Sequence, residues 1–368
     1  MKGKIFGLLG CFLFLCLFFT AGHGEASWQT EDVDKSGNVG IDPAIAVDIY
    51  CVPHISYYDQ DNRDLKYAVR NPSWETEIVD SDGDVGEESG IAVDIFGNPH
   101  ISSNHGASTN ILVYATKSVG SWTILNFEQP QNYHVTSTSI DLDNYGYPHI
   151  AYNIQENSDD IDLVDYMVRY TYSVGSAWHV ENIAPRGQDV FMAIDSAGNT
   201  HVSFRVEDQN AGNDVYRLTY AKRVSGAWTI TTVDSTTDVG GDTGIAVDYN
   251  NNPHIVYRDY GNGAVRYAHY DGTSWNNQVV NAGGGANEGT KIAVDSSGNP
   301  HIVYAIDATE QLMYSILSEG SWSTEAIDLM GNPAIAIDLY DKPHVAHNHT
   351  WDFEDMLDEE YLRYSVKE

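Results

Sequence analysis

IAVDSSGNPHIVY, residues 292–304, is the clearest copy of a phrase that the chain repeats seven times. Residues 91–102 read IAVDIFGNPHIS, and residues 245–257 read IAVDYNNNPHIVY. The aspartate recurs at Asp48, Asp94, Asp143, Asp195, Asp248, Asp295 and Asp338, at spacings of 46, 49, 52, 53, 47 and 43 residues. Six positions after each aspartate stands a histidine: His54, His100, His149, His201, His254, His301 and His344. Further along each repeat comes a tyrosine (Tyr67, Tyr114, Tyr170, Tyr220, Tyr267, Tyr314, Tyr364). In all but the last repeat a tryptophan follows (Trp74, Trp122, Trp178, Trp228, Trp275, Trp322). Short β-branched and aromatic runs punctuated by Gly, Asn, Asp and Pro read as strands joined by hairpins. Four such runs in a period of about 40 to 50 residues make one propeller blade. The sequence therefore predicts an all-β, seven-bladed β-propeller with four antiparallel strands per blade.

Two details of the repeat make testable statements about backbone. The third residue after the anchor aspartate is Gly97, Gly146, Gly198, Gly298, Asn251 or Asp341 in six copies. These types tolerate a left-handed conformation, so a tight hairpin with one positive φ is expected there. The first copy has Cys51 at this position, which predicts either a different turn or a strained cysteine. The seventh repeat ends after its third run, at Tyr364-Ser365-Val366, without a tryptophan strand. Residues 27–34, SWQTEDVD, match residues 73–80, SWETEIVD, almost position for position. The N-terminal strand is expected to complete the last blade and close the ring, removing two free sheet edges.

Residues 1–26 stand apart from this pattern. Lys2 and Lys4 precede an apolar run from Ile5 to Phe19, and small residues follow, which reads as a secretory signal peptide. Residues 27–368 form the single propeller domain. The expected location is outside the cell: secreted, at the cell surface or periplasmic. Cys11 and Cys16 belong to the leader, and Cys51 has no partner for a disulfide. With 53 acidic against 19 basic side chains the formal net charge is −34. That charge repels nucleic acid and anionic lipid and attracts cations. No second apolar run is long enough to span a bilayer. The chain is expected to be a monomer with no nucleic-acid partner and no membrane insertion. About 340 residues suit a propeller, because each blade packs only on its neighbours.

The Ile-Ala-Val-Asp-x-x-Gly-Asn phrase resembles the NHL-type propeller repeat. Gly-Ser-Trp-Thr at 120–123 is similar to the Asp-box (BNR-type) repeats of sialidase-like propellers, although the Asp-box spacing is absent. Asp271-Gly272-Thr273-Ser274-Trp275 comes nearest and misses it. A weaker resemblance links the His-Ile-x-Tyr strands to seven-bladed polysaccharide lyases. These resemblances cover the whole domain at the level of fold and imply no single activity, since propellers host many.

Seven identical Asp–His pairs cannot all line one central site, so they are read as scaffold. Each aspartate is expected to accept bonds from turn amides and from the histidine ring. Function is sought where the repeats differ. On the face formed by the loops after the second strands (the top face), Arg205 and Arg258 hold equivalent places in adjacent blades. Two guanidinium groups facing one channel suit a carboxylate or sulfate. Asn104, His105, His347, His349 and Tyr58 occupy the same face. Together with Arg205 and Arg258 they form the candidate ligand site. Distinct loops at 127–134, 156–165, 207–214 and 351–360 add irregularity to it. Asp80, Asp82 and Asp84 alternate as in calcium loops. Asp34, Asn38 and Asp42, and Asp234, Asp238 and Asp242, repeat a looser version, so calcium is the expected cofactor if there is one.

The reading reached is a secreted, non-catalytic binding propeller that takes a glycan or an extracellular protein on its top face. One alternative is a lyase or glycoside hydrolase acting on acidic polysaccharide. In it Arg205 or Arg258 would neutralise a carboxylate, while His105 and Tyr58 would serve as base and acid. Another alternative is a structural protein of an envelope or matrix. No phosphate loop, zinc signature or nucleophile elbow is present in the sequence.

Overall fold

The computed structural model describes residues 27–106, 111–156, 166–208, 215–236, 238–282, 289–329, 331–349 and 360–368. The leader and most of the irregular loops at 156–165, 207–214 and 351–360 lie outside the described residues. The described chain forms seven four-stranded antiparallel sheets, the blades of a propeller. Six blades take their strands in chain order from the channel outward. Blade one, for example, runs Val39–Val47, Pro53–Asp59, Asp64–Arg70 and Trp74–Asp80.

Blade seven breaks that order as the sequence predicts. Its strands are Pro333–Ile337, Pro343–His349 and Tyr361–Lys367, with Trp28–Asp34 outermost. Trp28 lies opposite Lys367, Glu31 opposite Tyr364 and Asp34 opposite Leu362. Closure leaves the innermost strands of all seven blades around a common channel, with second strands such as PHISYYD (Pro53–Asp59) buried along their whole length. Hydrophobic clusters straddle neighbouring blades. Ile55, Tyr57 and Ala68 of blade one pack with Ala334, Ala346, Leu362 and Tyr364 of blade seven.

The repeated residues form one relay per blade. Each anchor aspartate accepts two turn amides on Oδ1; for Asp248 these are Asn250 N at 2.9 Å and Asn252 N at 2.8 Å. The expected left-handed residue is present in every copy, from Asp341 (φ 63°) to Gly298 (φ 83°), and Cys51 adopts it as well, with φ 63°. Each anchor histidine bonds through Nδ1 to the tyrosine hydroxyl of its third strand, as in His54–Tyr67 at 2.5 Å and His301–Tyr314 at 2.7 Å. That tyrosine then meets the tryptophan of the adjacent blade edge-to-face. Tyr67 and Trp122 are 5.3 Å apart between centroids, and Trp74 and Tyr364 across the closure are 5.1 Å apart. Such a pair contributes roughly 0.5–1.5 kcal/mol beyond its buried area.

One expectation about the relay needs correcting. The Asp–His bond forms in blade four, where His201 Nε2 is 3.0 Å from Asp195 Oδ2. In the other six blades the separation is 3.3 to 3.9 Å. The turn amides bond Oδ1 while the ring faces Oδ2, and in every blade tyrosine is the ring's shorter contact, even in blade four at 2.7 Å. Burial holds all seven imidazoles below their ordinary pKa, so they are neutral scaffold groups at neutral pH.

Candidate functional site at the channel mouth

The innermost strand of each blade enters the channel at the position six residues before the anchor aspartate. Those positions hold Asp42, Glu88, Ser137, Asp189, Asp242, Gly289 and Asn332. They ring the mouth of a cavity of about 850 Å³ on the top face. The four acidic members all have positive φ: 45° at Asp42, 51° at Glu88, 53° at Asp189 and 43° at Asp242. A left-handed non-glycine residue costs about 1–3 kcal/mol, and this strain clusters at functional sites. Glycine meets the same backbone need at Gly289, with φ 85°.

The four carboxylates sit in different company. Asp189 is paired with Arg205 Nε at 2.9 Å, and Asp242 with Arg258 Nη1 at 3.3 Å. Asp42 accepts a bond from Asn332 Nδ2 at 3.0 Å. Glu88 is exposed to the channel cavity yet enclosed by protein, a setting that solvates a charge poorly. That enclosure, with the charge of Asp42 beside it, pushes the Glu88 carboxyl up to about 8. Burial also raises Asp42 and Asp189, partly offset at Asp42 by the Asn332 bond and at Asp189 by Arg205. Lys291 lines the same cavity, its ammonium 4.5 Å from the Phe191 ring centroid.

An aromatic wall joins blades four and five. The Arg258 guanidinium lies 4.4 Å from the Tyr260 ring centroid, and that of Arg205 lies 5.8 Å from the same ring and 4.4 Å from Tyr216. Gly241 makes room for it: a Cβ there would fall 2.1 Å from Tyr260 Cε2. The site thus offers ion-paired carboxylates, a glutamate whose pKa is raised and a ring face around one cavity.

The residues singled out in the sequence fall into three groups. Arg205 and Arg258 both lie against the Tyr260 ring, each paired with an aspartate of its own blade, and Arg258 lines the cavity. Tyr58 and His105 gather instead at the connection between blades one and two. Tyr58 donates to Asp84 Oδ1 at 2.7 Å, and His105 borders Gly83, whose Cβ would lie 2.9 Å from the ring. Of the four residues assigned to a lyase only Arg258 lines the channel cavity, so the four do not converge on it. Asn104, His347 and His349 belong to the framework. Asn104 donates to Val135 O at 3.3 Å. His347 is 0 % exposed, with Nε2 3.1 Å from Ser365 Oγ. His349 packs on Tyr361 at 4.7 Å between centroids.

Asp80, Asp82 and Asp84 do not form a three-ligand cluster among the described residues. Asp80 Oδ1 accepts the Asp82 amide at 3.0 Å, and Asp84 is engaged by Tyr58. Asp34 and Asp234 brace the second and third strands: their Oδ2 atoms accept Tyr57 and Tyr257 hydroxyls at 2.7 Å each. Asp34 also accepts Lys66 Nζ at 2.6 Å. Glu88, Asp189, Lys291 and Tyr260 escaped the sequence reading. The available signal was acidity at the same offset before the anchor aspartate in four of seven repeats.

No protein-family model matches this sequence, and no curated protein matches it. Solved structures do. One is an ulvan lyase of a polysaccharide lyase family, bound to a GlcA–Rha3S chain: 14% identity, 90% of this chain and 95% of that one, TM-score 0.57. A protein of unknown function from Dyadobacter fermentans shares 9% identity over 93% of this chain and 98% of that one, with TM-score 0.54. The Aleuria aurantia lectin, in complex with Fucα1-6GlcNAc, shares 12% identity over 78% of this chain and 96% of that one, with TM-score 0.51. At these identities what is held in common is the propeller fold, and the lyase-like resemblance read from the repeats is borne out at that level.

Proposed function

We propose that the chain is an exported binding propeller that holds a glycan in the mouth of its central channel. The observation that carries this reading is the convergence of Asp42, Glu88, Asp189, Asp242, Arg258 and Lys291 on one cavity. Its volume of about 850 Å³ falls in the range of small-ligand pockets. Carboxylates and guanidinium groups accept from and donate to adjacent sugar hydroxyls, and Tyr260 offers a ring to a sugar's apolar face. Because Asp189 and Asp242 neutralise Arg205 and Arg258, the reading favours an uncharged glycan over a polyanion.

The test is an array of neutral and acidic oligosaccharides, followed by calorimetry on the retained ligands. Neutral glycans should bind. The double change Asp189→Asn with Asp242→Asn should weaken them roughly 10-fold or more and shift selection toward acidic glycans. Absence of binding across the array would overturn the reading, as would an acidic preference in the unaltered chain.

A second reading, hydrolysis, is favoured by one observation. Glu88 is raised to about 8 while the Asp242 carboxylate stands in an ion pair on the same cavity. A protonated carboxyl and an ionised one on one pocket are the acid and its partner in glycoside cleavage. New reducing ends from a bound oligosaccharide, lost in Glu88→Gln with binding retained, would establish it.

A further inference from the structure

The face opposite the channel mouth carries the seven anchor turns, and blade five adds a residue to the relay there. His269, in the third strand Ala264–Tyr270, lies directly across from the anchor His254. The corresponding residue in the other blades is Val69, Thr116, Tyr172, Lys222, Ile316 or Val366. The rings of His254 and His269 are 4.4 Å apart between centroids. Ligand atoms of Asp248, His254 and His269 all lie within 4.8 Å of one another, the only such trio among the described residues.

His254 is held in a fixed orientation by its neighbours. Its Nδ1 is engaged by the Tyr267 hydroxyl at 2.6 Å, which fixes the ring and turns Nε2 toward Asp248 and His269. The residue is 2 % exposed, and Nε2 has no hydrogen-bond partner. Nε2 lies 3.7 Å from Asp248 Oδ2, beyond hydrogen-bond range. Two ligands of one tetrahedral ion, with bonds of about 2.0–2.2 Å, sit roughly 3.4 Å apart. An unpartnered Nε2 and an Asp–His gap of 3.3 to 3.6 Å also occur in blades one, three, six and seven, so the third ligand is what sets blade five apart. The second bond to the anchor carboxylate is also longer here. Asn252 Nδ2 is 3.2 Å from Asp248 Oδ2, against 2.8 Å for the equivalent asparagines of blades two, four and six.

The trio opens on a cavity of about 310 Å³ closed on its other side by the Ser296–Asn299 turn and Glu319 of blade six.

We propose that Asp248, His254 and His269 bind a divalent transition-metal ion of the zinc class, with an open coordination position facing the cavity between blades five and six. Two imidazole nitrogens and one carboxylate oxygen suit zinc rather than calcium or magnesium, which take oxygen ligands. In the bound state His254 Nδ1–H donates to Tyr267, an outer partner that orients the ring.

The test uses the exported chain stripped with a chelator and desalted. Zinc sulfate is titrated by calorimetry, and cobalt(II) uptake is followed by visible absorption. The unaltered chain should take up one more zinc ion than His269→Val and show a tetrahedral cobalt spectrum. The variant should bind zinc at this site at least about 100-fold more weakly, while keeping its metal-free melting temperature, since valine stands there in blades one and seven. Equal zinc uptake by both proteins would overturn the site. So would an octahedral or absent cobalt spectrum in the unaltered chain, a measurement that does not depend on how the variant folds.

Discussion

Blades four and five are built on the same Asp–His–Tyr relay and differ at the residue facing the anchor histidine. In blade four that residue is Lys222, whose ammonium lies 3.8 Å from Asp195 Oδ2, and His201 bonds the same oxygen at 3.0 Å. In blade five it is His269, and the corresponding Asp–His gap opens to 3.7 Å. One position thus decides whether an anchor carboxylate is shared by a cation and an imidazole or stands among three metal-ligand atoms. What the blades share holds the ring together, and what they do not share carries the chemistry. Changes to shared residues should therefore move stability and leave ligands alone. Changes to unshared ones should do the reverse.

The largest expected effect lies in the frame. Deleting residues 27–34 removes the outer strand of blade seven and the Trp28–Tyr314 contact, whose centroids are 5.1 Å apart. The melting temperature should fall by roughly 10 °C or more. A truncated chain that melts with the parent would break the comparison at its root. Next comes His201→Ala, which leaves Asp195 and the Tyr220 hydroxyl without their buried partner. It should cost about 1–3 kcal/mol in denaturant titrations while glycan and zinc affinities stay unchanged.

A smaller effect sharpens the contrast between blades. Val69→His in blade one places an imidazole opposite His54, near Asp48, in imitation of blade five. It should create a second zinc site and add a few degrees to the melting temperature in zinc by ligand linkage. Unchanged stoichiometry would show that the facing residue alone does not decide the matter. The smallest effect concerns the channel. Native Glu88 keeps its proton up to about 8, whereas the unfolded chain releases it near the ordinary carboxylate value. Stability is therefore lost as pH rises between those values. Glu88→Gln should raise the melting temperature at pH 9 by more than it does at pH 4, and a scan at both values checks the sign.

The frame was legible because it is repeated. Gly97, Asn251 and Asp341 announced a left-handed turn, and even the misfit Cys51 takes it. Residues 27–34 announced closure by copying residues 73–80. The site was legible in part. Arg205 and Arg258 were placed at the channel, but their aspartate partners were not. Asp42, Glu88, Asp189 and Asp242 are separated by whole blades in the chain, and only the circular arrangement brings them to one mouth. His269 gains meaning only through a register that places it opposite His254. The alternation of Asp80, Asp82 and Asp84 does not show in the sequence that a turn amide and the Tyr58 hydroxyl engage two of them. His347 misled because its strand runs on to His349 and buries it.

Blade seven joins the first strand of the domain to the last, and this orders events during synthesis. Residues 28–34 are made before every other strand but find their partner only when residues 361–367 appear. Until then one strand waits with both edges unpaired while six blades assemble beside it. In the finished ring the two ends are neighbours, with the Glu368 amide 3.2 Å from the Ser27 carbonyl. A short linker across that gap, with new ends cut in the exposed turn at residues 81–83 between blades one and two, would give a permuted chain whose blades all close locally. Such a chain should reach its native state faster than the natural order allows.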